Sequence, residues 1–293
     1  MLVYKKLIIK FLKLVLASFL FILLLLIILG GGYGKPVLIN LSNKKPLLFA
    51  HRGVIQKNVV ENTRKAFELS KKYDFKAVET DLNITKDGKL IIFHDENLKR
   101  LLHIDTSIYQ VEWEFIKNKN LYYGDFKTNQ KILSFESFLN VIDTNTIVYL
   151  DIKKNSLQVA DSLLMFFDSH PSIINNIMIA DESFLFLNYL RFKNKNITLA
   201  WEGFNKGKEW LYFVIPKNFK LDYYASFFDK VNENQMHFFK SNDLITQKIV
   251  YTINKNNFDK AVKLGLYNLI LDYSPEMGTY QELIDKILQK ETM

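Results

Sequence analysis

The sequence predicts an α/β fold of the TIM (β/α)8 barrel type, preceded by one N-terminal transmembrane helix. After Pro36, short runs rich in β-branched and aromatic residues alternate with amphipathic stretches, the pattern of a parallel sheet covered by helices. Polar side chains follow several of the strand-like runs directly, as they do at the functional end of a barrel. Before Pro36 lies an uncharged apolar segment long enough to cross a bilayer.

We therefore divide the chain into residues 1–35, a cytoplasmic stub with a signal anchor, and residues 36–293, a barrel domain. Nine segments of the second part are predicted strands, one more than an eight-stranded barrel requires. They are 47–50, 77–82, 90–93, 146–152, 177–180, 197–201, 221–224, 249–253 and 268–271. Six segments have the apolar spacing of helices. They are 62–72, 135–142, 156–167, 183–192, 257–264 and 280–289.

Composition restricts the chemistry open to this chain. It has 293 residues, 48% of them hydrophobic and 24% charged, which is typical of a folded protein. The absence of cysteine excludes disulfides, a cysteine nucleophile and thiolate ligands, so a bound metal must use oxygen or imidazole. The net charge of +8 comes from scattered lysines rather than a dense basic run, so no nucleic-acid partner is expected.

The apolar N-terminal segment predicts membrane attachment. No residue from Leu14 to Gly34 is charged, whereas four lysines precede this stretch and only Lys35 follows it closely. The bias of positive charge toward the cytoplasm then places residues 36–293 on the extracytoplasmic side of a single-pass protein. A signal peptide cleaved near Gly30 to Gly32 is the alternative, and the length of the segment favours the uncleaved anchor.

Three carboxylates predict a site for a divalent cation. Glu79 and Asp81 are separated by one residue, so on a strand both point to the same face. Asp151, at the end of another strand, can complete the set. Carboxylate ligands favour Ca²⁺ or Mg²⁺ over Zn²⁺. Pairing with a nearby lysine is the alternative for an isolated pair, but acidic residues on an otherwise apolar strand need a stronger reason.

Two histidines and two cations accompany these carboxylates. His51 and His94 both follow predicted strands, and imidazole titrates near neutral pH, so the pair can supply a general base and a general acid. Arg52 and Lys153 can bind phosphate oxygens, and they can also balance the charge of the carboxylates. This combination of side chains suits the cleavage of a phosphoester.

In order and spacing, these residues resemble the glycerophosphodiester phosphodiesterase family, which is related more distantly to phosphatidylinositol-specific phospholipases C. The similarity spans nearly the whole chain after residue 45. The matching strings are His51-Arg52-Gly53, Glu61-Asn62-Thr63 followed by Ala66-Phe67, Glu79-Thr80-Asp81-Leu82, Thr85-Lys86-Asp87-Gly88, Phe93-His94-Asp95 followed by Leu98 and Arg100, Asp151-Ile152-Lys153, Tyr251-Thr252-Ile253-Asn254 and Leu271-Asp272-Tyr273-Ser274-Pro275. Two departures matter, because Asp151 stands where the family usually has Glu and Tyr251 where it usually has Trp.

The resemblance implies a TIM barrel that hydrolyses glycerophosphodiesters to glycerol 3-phosphate and an alcohol, with Ca²⁺ or Mg²⁺ as cofactor. It implies a role for each matching residue. By motif, the acid/base pair is His51 and His94, the metal ligands are Glu79, Asp81 and Asp151, and the phosphate contacts are Arg52 and Lys153. Substrate binding extends to Glu61 and Asn62, which open a predicted helix, and to Tyr251, which supplies an aromatic wall.

Other functions fit the same residues. The substrate could be a lysophospholipid or a membrane lipid, cleaved by a lysophospholipase D or phospholipase C-like activity, or the barrel could bind a phosphorylated ligand without catalysis. In the lipid case the aromatic run Phe204, Trp210, Tyr212 and Phe213 would touch the membrane, although its composition favours a place in the core. The sequence leaves the oligomeric state open.

Overall fold

A computed structural model describes residues 2–29, 46–204 and 207–289. The alternative cleavage site at Gly30 to Gly32 and the domain boundary after residue 35 lie outside these residues. The chain divides into two compact units. One consists of Met1–Leu38 with Gly207–Leu221, and the other of Ile39–Lys206 with Asp222–Met293.

Eight parallel strands of the second unit close into a barrel, which confirms the predicted TIM-barrel fold. They are β1 (Leu48–His51), β2 (Ala77–Ile84), β3 (Ile147–Ile152), β4 (Ile177–Asp181), β5 (Thr198–Trp201), β6 (Tyr223–Phe227), β7 (Lys248–Ile253) and β8 (Asn268–Leu271). Each strand pairs with the next in chain order. β1 pairs in parallel with both β2 and β8, and this double pairing closes the barrel.

The ninth predicted strand lies outside the barrel. Leu90–Ile92 runs antiparallel to the end of β2, with Leu82 opposite Ile92 and Ile84 opposite Leu90. The predicted strand is thus confirmed, but it lies beside the barrel because β2 continues beyond the barrel and pairs with the chain as it turns back. This return also brings the next residues to the barrel end, where the Phe93 N–H donates to the Asp81 carbonyl at 3.0 Å. Three short strands complete the sheets: Tyr122–Tyr123, Phe126–Lys127 and Leu133–Ser134.

Eleven α-helices lie within the described residues. They are α1 (Leu2–Leu29), α2 (Arg64–Lys72), α3 (Lys99–Leu102), α4 (Trp113–Ile116), α5 (Phe135–Leu139), α6 (Leu157–Ser169), α7 (Phe184–Lys193), α8 (Leu211–Val214), α9 (Glu233–Ser241), α10 (Phe258–Lys263) and α11 (Tyr280–Gln289). The prediction missed α9, whose buried positions include the polar Gln235. It began α2 too early, because Asn62 has φ of +59° and Thr63 is the N-cap, accepting from the Ala66 N–H.

The N-terminal helix α1 is apolar enough to cross a membrane. Its stretch Tyr4–Leu25 has a mean hydropathy of 2.5 and is not buried, and in the described part of the chain it is the one helix with these properties. This confirms the predicted apolar helix. Length and composition suit a signal sequence equally well, so the single-pass topology stays a prediction.

Large and small side chains alternate across the barrel interior. Phe49, Tyr149, Met178 and Ile249 are buried there beside alanines of four neighbouring strands. Such alternation lets layers of side chains interdigitate without voids. A second apolar cluster lies under the segment between β2 and β3 and includes Phe93. Packing in these two clusters holds the strand ends that carry the polar side chains in position.

Gly53 should be irreplaceable in the turn that follows β1. Its φ is +78°, and a Cβ there would lie 2.8 Å from the Ala66 backbone. We expect Gly53→Ala to lower the free energy of unfolding by about 2–4 kcal/mol through steric overlap and backbone strain. Gly124→Ala is the matched control, since Gly124 has φ of +58° but nothing within 4 Å of its Cβ position. Urea unfolding that gives equal losses for both variants would contradict the steric argument.

Candidate active site

Three carboxylates converge at the end of the barrel where the strands terminate, hereafter the C-terminal rim. Glu79 and Asp81 lie on β2 and Asp151 lies on β3, where Asp81 and Asp151 are register partners. One oxygen from each carboxylate lies within 4.8 Å of the other two. Two oxygens bonded to one divalent ion at roughly 2.0–2.6 Å can lie up to about 4.0–5.2 Å apart, so this separation is within the reach of one ion. The carboxylate triad therefore fits a single hard cation.

Two partly buried cations lie beside the triad. The ammonium of Lys153 lies 2.9 Å from Asp81 Oδ1 and 2.5 Å from Asp151 Oδ2, and Arg52 Nε lies 3.2 Å from Asp81 Oδ2. Burial alone would raise the pKa of Asp81, but these two cations bring it below its usual range. Burial, together with the nearby Asp81 carboxylate, raises the pKa of Glu79 to about 8. Without a bound cation, Glu79 therefore holds its proton at neutral pH.

Cation binding should therefore depend on pH. Glu79 must lose its proton to become a ligand, and its pKa in the cation-free protein is about 8. Since the proton is held below that pH, we expect the Ca²⁺ affinity to rise by up to about tenfold per pH unit as pH increases toward 8, and to level off above it. Calorimetry in buffers of different ionisation enthalpy would count the released proton. An affinity that stays constant between pH 6 and 8 contradicts this expectation.

Each of the two histidines is held by an aspartate. His51 Nδ1 lies 2.6 Å from Asp272 Oδ1 on the far side of the barrel seam, and His94 Nδ1 lies 2.7 Å from Asp95 Oδ1. Both rings keep Nε2 for other contacts, and His51 Nε2 lies 3.7 Å from a Glu79 oxygen. Burial lowers the pKa of His51, but the carboxylates of Glu79 and Asp272 outweigh it and raise the pKa above its usual value.

Arg100, on α3, connects the residues around Arg52 with those around His94. Arg100 donates to both oxygens of Glu61, at 2.7 and 2.9 Å, and its Nε donates to Asp95 at 2.6 Å. Glu61 also accepts from Arg52 Nη1 at 2.9 Å. Through these contacts Arg100 fixes the two carboxylates that orient Arg52 and His94. Paired charges of this kind hold functional side chains in place.

Replacing Arg100 should therefore impair catalysis without removing a reacting group. We expect Arg100→Gln to lower kcat by about 10- to 100-fold with little change in KM, because His94 and Arg52 lose their orientation. Arg100→Lys should not restore the rate, since an ammonium cannot donate to two carboxylates in a fork. Arg64→Gln, at an exposed helical position, is the control. An unchanged pH–rate profile with an unchanged kcat for Arg100→Gln would contradict the positioning role.

The rim encloses a cavity of about 270 Å³. Its lining includes most of the residues that the sequence singled out. They are His51, Arg52, Glu79, His94, Asp151, Lys153 and Tyr251. The Tyr251 ring lies 4.4 Å from that of Phe227 and forms one side of the cavity.

Glu61 and Asn62 contact other site residues. Glu61 binds the two arginines described above. The buried Asn62 donates to Asp81 Oδ2 at 2.6 Å and accepts from the Thr80 hydroxyl at 2.8 Å. Arg52 and Asn62 also have left-handed φ values of +55° and +59°. Strained residues of this kind persist where the surrounding contacts hold them, often at functional sites.

Several residues that lie in the site had no predicted role, even where they belong to the residues that match the family. They are Asp95, Arg100, Tyr149, Glu202 and Asp272. Asp272 follows β8 and Glu202 follows β5, so the rule applied to the first strands, that polar residues at strand ends face the rim, would have found both. Glu202 accepts from the Tyr149 hydroxyl at 2.7 Å, and burial raises its pKa well above the usual value.

An eight-stranded parallel barrel that carries its polar side chains at the C-terminal rim is the architecture of the TIM-barrel enzymes. Within that class, this chain belongs to the glycerophosphoryl diester phosphodiesterase family. The sequence profile of that family matches residues 51–275, from the last residue of β1 to the segment after β8.

Individual proteins are similar to parts of this chain. A glycerophosphodiester phosphodiesterase of Caldanaerobacter subterraneus is 32% identical over 112 residues, which is 37% of this chain and 46% of that protein. An uncharacterized Mycoplasma genitalium protein is 34% identical over 119 residues, again 46% of its length. The chain thus matches about half the length of these curated relatives.

Solved structures share the fold. A glycerophosphoryl diester phosphodiesterase from Parabacteroides distasonis has a TM-score of 0.70 at 18% identity, covering 86% of this chain and 93% of its own. A phosphodiesterase from Oleispira antarctica, solved in complex with the product sn-glycerol-3-phosphate, has a TM-score of 0.68 at 20% identity. That match covers 82% of this chain and 97% of the other.

Proposed function

We propose that this chain hydrolyses glycerophosphodiesters to glycerol 3-phosphate and an alcohol, with the help of a divalent cation. One observation carries the proposal: two aspartate-held histidines line one cavity together with Glu79 and Asp151, and an oxygen of the buried Asp81 lies within 4.8 Å of an oxygen of each of these carboxylates. Membership of the family supports the same reaction. The Oleispira antarctica protein binds sn-glycerol-3-phosphate, which is the product expected here.

Each side chain has a separate role in the proposed reaction. Arg52 and Lys153 bind the phosphoryl oxygens and stabilise the charge that develops on them. One of His51 and His94 removes the proton from the neighbouring glycerol hydroxyl, whose oxygen attacks phosphorus. The other histidine protonates the departing alcohol. Water then opens the cyclic phosphate, with the same pair acting in reversed roles. Tyr251 packs beside the glycerol or the headgroup.

The carboxylate triad is the place for Ca²⁺ or Mg²⁺. Bound to Glu79, Asp81 and Asp151, either ion would supply Lewis-acid stabilisation of the phosphoryl oxygens. Asp151 is one methylene shorter than the Glu that the family usually has. Its register pairing with Asp81 nevertheless places its oxygen within the reach of one ion.

We further propose that α1 anchors the barrel at the extracytoplasmic face of a membrane. Its substrates are then the glycerophosphodiesters and lysophospholipids present on that side. The four lysines before the apolar stretch support this orientation. The chain lacks cysteine, so one cysteine at the exposed Leu185 can be labelled selectively in intact cells. Labelling by a membrane-impermeant maleimide is expected, and labelling only after lysis contradicts the orientation.

Release of glycerol 3-phosphate tests the activity. The full chain is incubated with glycerophosphocholine, glycerophosphoethanolamine, glycerophosphoglycerol, a lysophospholipid and an inositol phospholipid, each with Ca²⁺ or Mg²⁺ and with a chelator. We expect release from at least one glycerophosphodiester and its loss with the chelator. Release of a phosphorylated headgroup would instead identify a phospholipase C-like activity. Binding of these compounds without any hydrolysis would identify a non-catalytic barrel.

A further inference from the structure

The connection between β5 and β6 exposes an apolar surface that the proposed reaction does not use. It is formed by Trp210, Phe213 and Val214, hereafter the aromatic face. Their exposed fractions are 60%, 57% and 50%, whereas Tyr212 in the same turn is only 5% exposed. The prediction that this aromatic run lies in the core is therefore wrong for Trp210 and Phe213. It is confirmed for Tyr212 and Phe204.

The sequence spacing of the three residues places their side chains on one continuous surface. Positions 210, 213 and 214 are related by three and four residues, so their side chains lie on the same side of the α8 turn. A single exposed apolar residue on a protein surface is ordinary. Two aromatic rings and a valine side by side form a patch of the kind that marks an interaction site.

The surroundings of the aromatic face indicate a lipid partner. Gly207–Leu221 forms one compact unit with Met1–Leu38, the segment that contains the apolar helix. Tryptophan and phenylalanine are the residues that settle at the boundary between lipid and water. Lys208 and Lys217 flank the face, while the Glu209 carboxylate accepts the Gly207 N–H at 2.7 Å. Flanking lysines suit the anionic headgroups of a bilayer.

We propose that the aromatic face inserts into the interfacial layer of the bilayer that holds α1. The chain then touches the membrane at two places distant in sequence, the N-terminal helix and the β5–β6 connection. The proposal rests on α1 being in a membrane, but it does not depend on the phosphodiesterase reaction, because insertion needs no turnover.

Tryptophan fluorescence tests the insertion directly. The chain has three tryptophans, and none lies in α1, so the anchor itself is silent. The full chain is placed in nanodiscs of phosphatidylcholine and phosphatidylglycerol that carry bromine either near the glycerol end or near the middle of the acyl chains. We expect about twofold quenching of Trp210 by the shallow bromines and less by the deep ones. Trp210→Phe should abolish this quenching, and Trp113→Phe should leave it intact.

A second set of variants keeps Trp210 as the reporter. Phe213→Ser combined with Val214→Ser should reduce the quenching, whereas Phe192→Ser, at a residue 81% exposed in the other unit, should not. Quenching that persists in Trp210→Phe overturns the proposal, as does its absence from the wild-type chain in discs. A blue shift of Trp210 emission with rising protein concentration in detergent, without quenching in discs, would assign the face to a second copy of the chain instead.

Discussion

Replacing His94 with glutamine is expected to lower kcat for glycerol 3-phosphate release by about 10³-fold, because the variant loses one of two acid/base groups. Its ring is oriented by Asp95 at 2.7 Å and lines the same cavity as His51. Glutamine keeps a polar side chain of similar reach but cannot carry the proton. The same substitution at His51 should cost about as much, since each step needs both groups.

Two controls separate this loss from misfolding. His103→Gln removes a histidine that stacks on Tyr122 at 3.8 Å, in a segment outside the cavity lining, and should leave kcat unchanged. The His94→Gln protein should also bind Ca²⁺ with wild-type affinity, because the triad is intact. A kcat within threefold of wild type would show that His94 is not part of the reaction.

Asp81→Asn should have an effect of similar size for a different reason. Asp81 is fully buried and contacts Lys153, Arg52 and Asn62. Asparagine preserves the shape but removes the negative charge, so the two cations would lose a counter-ion and the triad a ligand. We expect Ca²⁺ affinity to fall by about 100-fold or more, and catalysis at ordinary cation concentrations to fall by about 10³-fold.

Calorimetric titration and rate measurements with increasing Ca²⁺ test the Asp81 variant. Part of the lost rate should return at high cation concentration if the defect is in binding. Asp143→Asn, at an exposed aspartate paired with Lys71, is the matched control and should change neither quantity. Wild-type cation affinity in Asp81→Asn would remove this residue from the ligand set.

The barrel and the convergence of polar side chains at the ends of its first three strands could be predicted from the sequence because both depend on local patterns. Alternating strand and helix segments define the fold class, and the one-residue spacing of Glu79 and Asp81 defines a common face. The hairpin at Leu90–Ile92 was not predicted, since strand direction depends on the pairing partner and not on the strand's own residues. His94 thus reaches the rim by a route that the sequence alone did not indicate.

The contacts that hold the site residues in position were less predictable from the sequence than the site residues themselves. The contact of Arg100 with Glu61 joins residues 39 positions apart, and the contact of His51 with Asp272 joins residues 221 positions apart. Both depend on how loops and closing strands meet in space. The exposure of Trp210 could not be predicted from the sequence either, because an aromatic run in a one-turn helix can face the core or the solvent.

The seam between β1 and β8 has a consequence for biosynthesis. The ribosome makes β1 before β8, and the carboxylate that orients His51 comes from Asp272, directly after β8. A nascent or truncated chain that ends before β8 has an N-terminal helix able to enter a membrane but an unfinished histidine–aspartate pair. The histidine–aspartate pair at this seam is therefore completed only after β8 and Asp272 have been made.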